Sequence, residues 1–537
     1  MTRRAPLRAR LRETAERGLP LALLVAVAGI IRWHQIGDLS LWLDELTQVT
    51  VAQGPADQFL AGVRAHTNEA PLDLLGTRIV LSVLGFGTVT ARVWAFAMGV
   101  VAVIAVYGLT IELTGRRGPA LLAGILAATS PILVYYAQES RPYSMSAAMS
   151  VIVLWAFARV ARSRRRADWV IFAVAGIVAV YTHYYSALVL MSCGVAFVAV
   201  ATGRWLAAGR ARSVAIDGVR SVLPLVLASA AVVIAFVPWY LYAARFNLAT
   251  QYDYPPVAPL TPLSGFRMLQ RLLTAAPIAV PAAGDPLSEP IVAWALLLVA
   301  IVGAAYLIRS RPAATLALLL FGVGLMPFVW WSDARYGYFV SARQLIFIAP
   351  IVYVLGGIGI SASLAGLARA ARRWLKLRLP GGDGAGATAA VLAAAILIGV
   401  GTVPGLHRIY AGAFLPKEDW RGASAYTARS LCPGGRVFVN LGPLFAYGVT
   451  LYRPALEPVV VSLEGRGLDE WVVDIMRREA ITPRDIVVIF RERPGVFVPG
   501  RGDMQTVADY IWSLGLTKQA LFTPRLRVFR APACPTP

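Results

Sequence analysis

Long apolar segments recur along most of this chain, and short arginine-rich connections separate them. Of the 537 residues, 58% are hydrophobic and only 15% are charged. Soluble domains carry about 25% charged residues and fewer apolar ones. A signal peptide would explain one apolar segment near the N-terminus, but not their repetition. The sequence therefore predicts a polytopic membrane protein that is mainly α-helical.

The basic connections also predict the orientation in the membrane. The net charge is +22, and the arginine clusters between spans should face the cytoplasm. Treating Pro71–Phe86 as a juxtamembrane or re-entrant helix keeps every such cluster inside and gives about eleven transmembrane helices. The N-terminus is then cytoplasmic and the C-terminus extracytoplasmic. No nucleic-acid-binding motif accompanies the charge, so the expected partners include membrane lipids and no nucleic acid.

This topology divides the chain into three parts. They are a basic cytoplasmic N-terminus (1–18), a transmembrane domain (19–403) and an extracytoplasmic region (404–537). The transmembrane domain has a first outer loop (32–92), with juxtamembrane helices, and a long outer loop (242–290). In the last region, strand patterns at Arg436–Asn440, Val459–Ser462 and Asp485–Phe490 alternate with helical patterns, which predicts a small α/β domain.

The three cysteines give limited information. Cys193 lies in a predicted span, where packing is the simplest role. Cys432 and Cys534 both fall in the C-terminal region, and an extracytoplasmic location permits a disulfide between them. The sequence does not decide whether they pair. No Cys/His spacing indicates zinc.

The first outer loop begins with two adjacent carboxylates, Asp44 and Glu45, close to the membrane surface. They could form a solvated loop or favour the start of a helix. A carboxylate in a partly desolvated cleft can instead act as a general base. The topology places this pair on the same side as Arg141, His183 and Arg343.

Arg141 and Arg343 lie at outer span boundaries, where arginine is disfavoured. Guanidinium groups there can bind phosphate bidentately, or they can extend to lipid headgroups. His183 could contribute to a site or pack as a hydrogen-bonded histidine. Carboxylates and arginines on one face predict an anionic substrate that has a hydroxyl to activate.

Three segments resemble the GT-C superfamily of membrane glycosyltransferases. They are Trp42-Leu43-Asp44-Glu45, Tyr136-Ala137-Gln138-Glu139-Ser140-Arg141-Pro142-Tyr143 and Ser341-Ala342-Arg343-Gln344-Leu345. Lys417-Glu418-Asp419-Trp420-Arg421 also resembles bacterial members. The closest likeness is to the family 39-like group, which includes protein O-mannosyltransferases and aminoarabinose transferases, and it extends over about residues 20–425.

The resemblance implies transfer of a sugar from a polyprenyl-phosphate carrier to a glycan, lipid or protein acceptor on the outer face, with inversion. Asp44 would be the general base, and Glu45 would orient it or the acceptor. Arg141 and Arg343 would hold the carrier phosphate. Further substrate contacts are expected from a set of neighbouring polar residues: Glu69, Glu139, Tyr143, His183 and Tyr184. A divalent cation is permitted, but a metal-independent reaction is favoured.

One segment departs from the family pattern. Many relatives have His-Pro-Pro-Leu where this chain has Glu69-Ala70-Pro71-Leu72, so the contact that the family histidine makes is in doubt. Two other functions share the membrane body and the outer arginines. One is a transporter or flippase of lipid-linked sugars, although internal repeats typical of transporters are not seen. The other is a non-catalytic protein of cell-envelope glycan assembly.

Overall fold

In the computed structural model, most of the chain up to residue 374 is helical. The described residues are 7–66, 70–163, 165–210, 212–245, 262–275, 288–324, 326–327, 331, 342–374, 402–414, 417–440, 443–463, 476–479, 482, 485–491, 515–516, 518–522 and 526–531. Their apolar helices make the chain a multi-pass membrane protein.

The helices of this first part are numbered in chain order. They are α1 (Leu7–Trp33), α2 (Leu43–Gln53), α3 (Phe59–His66), α4 (Pro71–Leu84), α5 (Thr88–Thr114), α6 (Arg117–Thr129), α7 (Pro131–Ala137), α8 (Tyr143–Ser163), α9 (Arg166–Val180), α10 (Ser186–Ala207), α11 (Arg212–Trp239), α12 (Pro262–Thr274), α13 (Ser288–Ile308), α14 (Pro312–Leu319) and α15 (Ile348–Trp374). Short 3-10 or π segments extend or link some of them: Ala56–Gln58, Tyr240–Ala244, Leu320–Gly324 and Ala342–Leu345.

Six of the helices in the described ranges are long and apolar enough to span a membrane, or seven segments if the bent pair α6 and α7 is one span. Large apolar side chains on these helices remain exposed, such as Ile234 on α11 and Ile301 on α13, and they suit contact with lipid. The predicted count of about eleven stays a prediction. The last predicted span, 389–403, lies outside the described residues.

Glycines allow two of the membrane helices to pack closely. A Cβ added at Gly303 of α13 would lie 2.0 Å from the carbonyl oxygen of Leu355, and one at Gly359 of α15 would lie 1.7 Å from that of Val299. Small residues are favoured at helix contacts in membranes because they let backbones approach. The α13–α15 contact therefore depends on both glycines.

Arg32, at the end of α1, fixes the junction between α6 and α7. Its guanidinium is fully buried and donates to the carbonyl oxygens of Ala127 and Ala128, over 3.0 and 2.8 Å. These carbonyls belong to the last turn of α6, where a cation is favourable. Ser130 then caps α7 by accepting from the Leu133 N–H. The bend between α6 and α7 directs the chain towards Glu139 and Arg141.

The C-terminal region contains a mixed five-stranded sheet. Its elements are α16 (Val403–Tyr410), α17 (Trp420–Ser430), β1 (Arg436–Asn440), α18 (Pro443–Tyr452), β2 (Val460–Leu463), β3 (Ile486–Arg491), β4 (Lys518–Leu521) and β5 (Leu526–Arg530). The strand order is β2-β1-β3-β5-β4. Strand β1 pairs in parallel with β2 and β3, whereas β5 is antiparallel to β3 and β4.

One face of this sheet shares a hydrophobic core with the first outer loop. Val437 and Val439 alternate with Phe438 along β1, so the two valines face one side. They belong to the same buried cluster as Leu46 of α2 and Trp420 of α17. Helix α2 is therefore held between the sheet and the helices α4 and α5, whose Leu81 and Ala91 join that cluster.

Several local predictions can be compared with these elements. The three predicted strands are confirmed to within one residue at each end. The segment predicted as the long loop 242–290 contains helix α12, and 246–261 and 276–287 lie outside the described residues. Cys432 takes part in a disulfide bond and Cys193 is free and buried, while Cys534 lies outside the described residues. A separate extracytoplasmic domain stays a prediction.

The helix contact at Gly359 gives a test of the fold. We expect Gly359→Ala to lower the stability of the detergent-solubilised protein by about 1–3 kcal/mol, because overpacking a close contact forces backbone movement. Gly366→Ala on the same helix is the matched control, since an added Cβ meets nothing within 4 Å there. Thermal unfolding would show the difference, and equal stability of the two variants would contradict the predicted contact.

Candidate active site

Both acids of the predicted pair lie in the first turn of α2. Trp42 precedes the helix and offers no side-chain cap, but the Leu43 N–H donates to Glu418 Oε2 over 3.1 Å. Carboxylates at this end of a helix are stabilised by its dipole. The two acids therefore lie at a helix start, which was one of the alternatives predicted for them. The side chains of Asp44 and Glu45, however, have different surroundings.

The Glu45 carboxylate is fully buried and has three partners. Arg92 binds it bidentately, with Nε–Oε1 and Nη2–Oε2 distances of 2.7 and 2.8 Å. The Ser140 N–H donates to Oε1 over 2.9 Å, and Lys417 Nζ lies 3.2 Å from Oε2. Burial alone would raise the pKa of Glu45, but Arg92 and Lys417 outweigh it and hold that pKa below its ordinary value. Glu45 is therefore a buried anion that orders its surroundings.

Arg92 also orders the loop before α2. Besides Glu45, its guanidinium donates to the carbonyl oxygens of Ile36, Leu39 and Ser40 over 2.7, 2.9 and 3.2 Å. One buried side chain on α5 thus fixes both the loop and the first turn of the helix. Sequence reasoning did not predict this role, because Arg92 looks like an ordinary basic residue near the start of a span.

Asp44, in contrast, lies in a partly open part of the site. Its Oδ2 accepts from Arg343 Nη1 over 2.8 Å, and the two side chains are 21% and 26% exposed. Arg141 Nη1 lies 3.4 Å from the backbone oxygen of Asp44. The structure therefore brings together the predicted base and both predicted phosphate-binding arginines, although 299 residues separate Asp44 from Arg343.

Tyr143 lies between these two arginines. The guanidinium carbons of Arg141 and Arg343 lie 5.9 and 5.8 Å from its ring centroid, which is within the range of cation–π attraction. Attraction to the aromatic ring partly offsets the repulsion between the two positively charged guanidinium groups. Asp44, Arg141, Tyr143 and Arg343 form the centre of the candidate site.

Glu139, predicted as a substrate contact, is fully buried. Its Oε2 lies 3.3 Å from Lys417 Nζ. Burial raises the pKa of Glu139, and the neighbouring Glu45 adds to the rise, while Lys417 opposes it. Glu139 is thus placed beneath the centre of the site, beside the buried Glu45.

His183 and Tyr184 lie at the edge of the site. The His183 ring centroid is 6.4 Å from that of Tyr143, and its Nδ1 accepts from the Tyr185 N–H. Burial and the nearby Arg141 lower the pKa of His183 to about 4, so it is neutral at pH 7. Tyr184 accepts a hydrogen bond from Trp239 Nε1 over 3.1 Å. Glu69 lies outside the described residues.

A further arginine, Arg271 on α12, lies close to the same site. Its guanidinium carbon is 4.8 Å from the Phe414 ring centroid, and burial lowers its pKa. Tyr136 is near both Arg271 and Arg343. Sequence reasoning missed Arg271 because it assigned this segment to an outer loop. An arginine within a predicted outer loop, where positive charge is disfavoured, is the feature that could have identified it.

Metal binding has no direct support in the described part of the chain. No group of three or more His, Cys, Asp or Glu side chains is arranged there to hold a metal ion.

The family comparison gives a match over part of the chain. The model for dolichyl-phosphate-mannose-protein mannosyltransferases matches residues 68–242, about one third of the sequence. A comparison with curated protein sequences gave no match.

Solved structures match almost the whole chain. ArnT from Cupriavidus metallidurans in the apo state has a TM-score of 0.55 and 14% identity, covering 96% of this chain and 98% of ArnT. The same protein bound to undecaprenyl phosphate gives 0.53 and 14%, covering 95% and 97%.

A more distant match is the oligosaccharyltransferase AglB from Archaeoglobus fulgidus, solved with an inhibitory peptide and a dolichol-phosphate. Its TM-score is 0.51 at 12% identity, covering 88% of this chain and 69% of AglB. At such identities the structures establish the fold, which is ArnT-like. The family match and the fold together confirm the resemblance to the GT-C superfamily.

The buried ion pair predicts a large effect of Arg92→Met. We expect a loss of about 3–5 kcal/mol in the free energy of unfolding at pH 7, because the variant leaves the buried Glu45 short of a partner. The control is Arg159→Met, whose side chain is 44% exposed and pairs with Asp168. We expect less than about 1 kcal/mol there.

The pH dependence of the unfolding temperature tests whether the pKa of Glu45 is lowered in the folded protein. Because the folded protein holds the pKa of Glu45 low, its contribution is present above the unfolded carboxyl pKa of about 4.3 and is lost as pH falls through the folded value. The gap in unfolding temperature between wild type and Arg92→Met should narrow on acidification. A gap that widens would contradict this account of the pair.

Proposed function

We propose that this chain, which has the fold and partial family match of GT-C enzymes, transfers a sugar from a polyprenyl-phosphate carrier to an acceptor hydroxyl on the extracytoplasmic face. The observation that carries the proposal is the convergence of Asp44 with Arg141 and Arg343 around Tyr143. Asp44 can accept a proton, and the two arginines can bind an anion. The matching structures of ArnT bound to undecaprenyl phosphate and of AglB in complex with a dolichol-phosphate support the lipid-phosphate donor.

The reaction proceeds as a single displacement. The acceptor oxygen attacks the anomeric carbon on the face opposite to the phosphate, and the bond between that carbon and the phosphate oxygen breaks. The acceptor proton passes to Asp44, and the bonding electrons leave with the phosphate. Displacement from the opposite face inverts the anomeric centre. Asp44 acts as general base.

The arginines stabilise the leaving group. The donor is a phosphodiester with one negative charge, and cleavage creates a phosphomonoester that carries more. Arg141 and Arg343 have guanidinium groups suited to bidentate phosphate binding. Because negative charge on the phosphate grows as the bond breaks, they stabilise the transition state more than the bound donor. Arg271 lies close enough to Tyr136 to extend this positive surface.

The ion pair between Asp44 and Arg343 describes the site without donor. A carrier phosphate competes for Arg343, and its binding releases the Asp44 carboxylate to accept a proton. Donor binding thereby prepares the base. His183 and Tyr184, at the edge of the site, are candidates for substrate contacts, as is Glu69, which lies outside the described residues; the acceptor hydroxyl would belong to a glycan, lipid or protein.

The test is transfer from a panel of radiolabelled polyprenyl-phosphate sugars in membranes. Asp44→Asn should reduce transfer by at least about a thousandfold while binding of the carrier persists, because the amide cannot take the acceptor proton. Asp57→Asn, an exposed acid of the same outer loop, is the matched control and should keep wild-type activity. Loss of folded Asp44→Asn protein would be detected by its unfolding temperature.

The competing functions make different predictions. A flippase or an assembly protein would show no transfer by wild type, and its activity would tolerate Asp44→Asn. Wild-type transfer that survives in Asp44→Asn would refute the role of Asp44 as base.

Donor binding provides a separate prediction for the arginines. Arg141→Gln and Arg343→Gln should each weaken binding of polyprenyl phosphate by about tenfold or more, because a charged hydrogen bond contributes about 1.5–3 kcal/mol. Arg429→Gln removes an exposed arginine from α17 and should bind as wild type does. Binding can be measured by titrating the purified protein with the lipid. Equal affinity in all variants would overturn the assignment.

A further inference from the structure

Lys417 lies between two buried carboxylates. Its Nζ is 3.2 Å from Glu45 Oε2 and 3.3 Å from Glu139 Oε2, and the Lys417 side chain is only 4% exposed. The ammonium also lies 5.2 Å from the centroid of the Tyr135 ring. An ammonium in such a place is costly to bury unless it is paired. Because the buried lysine has little access to solvent, its charge is stabilised by the two carboxylates.

We propose that Lys417 is a positioning residue for catalysis, which joins the first turn of α2, where Asp44 lies, to the segment that carries Arg141. The inference rests on the proposed function, because it concerns the same site. It assigns the C-terminal region a role in turnover that acts through one side chain.

The connections of the two acids explain how Lys417 reaches the centre of the site. Glu45 is the neighbour of Asp44 in α2, and Glu139 lies two residues before Arg141. The Ser140 N–H already donates to Glu45, and the Arg141 N–H donates to the Glu139 carbonyl oxygen over 2.7 Å. Lys417 adds an ion pair to each segment from a third part of the chain. It thereby sets the distance between the base and one phosphate-binding arginine.

Charge balance makes this contact necessary. Two buried carboxylates, Glu45 and Glu139, face two buried cations, Arg92 and Lys417. Without Lys417, one cation remains for two adjacent acids, and like charges at short range disfavour ionisation of both. Repulsion between the two acids then moves the two segments apart. The placement of Asp44 relative to Arg141 changes as a result.

The residues after Lys417 hold it in place. Glu418 accepts from the first N–H of α2, and Asp419 caps α17 by accepting from the Gly422 N–H over 2.9 Å. Trp420 is fully buried in the core shared with the sheet. Arg421 donates to the carbonyl oxygens of Gly37 and Asp38. The segment that carries the lysine is thus anchored to α2, to the loop before α2 and to the core shared with the sheet.

The test compares Lys417→Met, Lys417→Arg and the double variant Lys417→Met/Glu139→Gln. We expect Lys417→Met to lower kcat by at least about tenfold with the KM for the carrier changed less than about twofold, the pattern of a lost interaction that serves the transition state. Lys417→Arg keeps the charge and should retain more activity. The double variant restores charge balance and should regain most of the loss. Arg429→Met, which removes an exposed cation from the same region, is the control.

Hydrogen exchange gives a second measurement that needs no turnover. Peptides covering residues 43–53 and 138–142 should exchange faster in Lys417→Met than in wild type or Arg429→Met, and should recover protection in the double variant. Unchanged exchange in both peptides, or a carrier KM that rises while kcat is retained, would overturn the proposal. Failure of the double variant to recover would do the same. Absence of transfer by wild type would instead refute the proposed function, and the exchange result would still decide whether Lys417 joins the two segments.

Discussion

The arrangement of the site depends on the buried ion pair between Glu45 and Arg92. Moving both charges out of water costs several kcal/mol, and short bidentate geometry with further hydrogen bonds is needed to offset it. Glu45 has these bonds from Ser140 and Lys417, and Arg92 has them to three carbonyl oxygens. Successive residues of a helix are about 100° apart around its axis. Fixing Glu45 inward therefore turns Asp44 towards the partly open side.

The C-terminal region also helps to position α2, the helix that carries Asp44 and Glu45. The core beneath its sheet includes Leu46 of α2, so the helix that carries Asp44 packs against α18, which covers the sheet, and shares this core with α4 and α5. Polar contacts from residues 417–421 reinforce the same join, with Glu418 at the start of α2. A sheet attached only through a linker would leave α2 with an exposed apolar face. The geometry of the candidate site thus depends on both the membrane helices and the C-terminal region.

Sequence reasoning identified the parts of the site that have a local pattern. Alternating spans placed Asp44, Arg141 and Arg343 on one face, and the structure brings them together. Strand patterns located Arg436–Asn440 and two other strands. It could not identify partners that are remote in the chain, such as Lys417 for Glu45, 372 residues away. Nor could it show that Glu139 is buried, because its neighbours Gln138 and Ser140 are polar and suggest a surface loop.

The buried side and the open side of the site differ in their balance of charge. Glu45 and Glu139 are neutralised from below by Arg92 and Lys417, so they do not offset the arginines above them. There, Asp44 is paired with Arg343, while Arg141 and Arg271 add positive charge. A phosphodiester donor supplies one negative charge, and the departing phosphate supplies more. In the proposed reaction, the guanidinium groups of Arg141 and Arg343 stabilise the departing phosphate more than the bound donor, and this difference lowers the barrier.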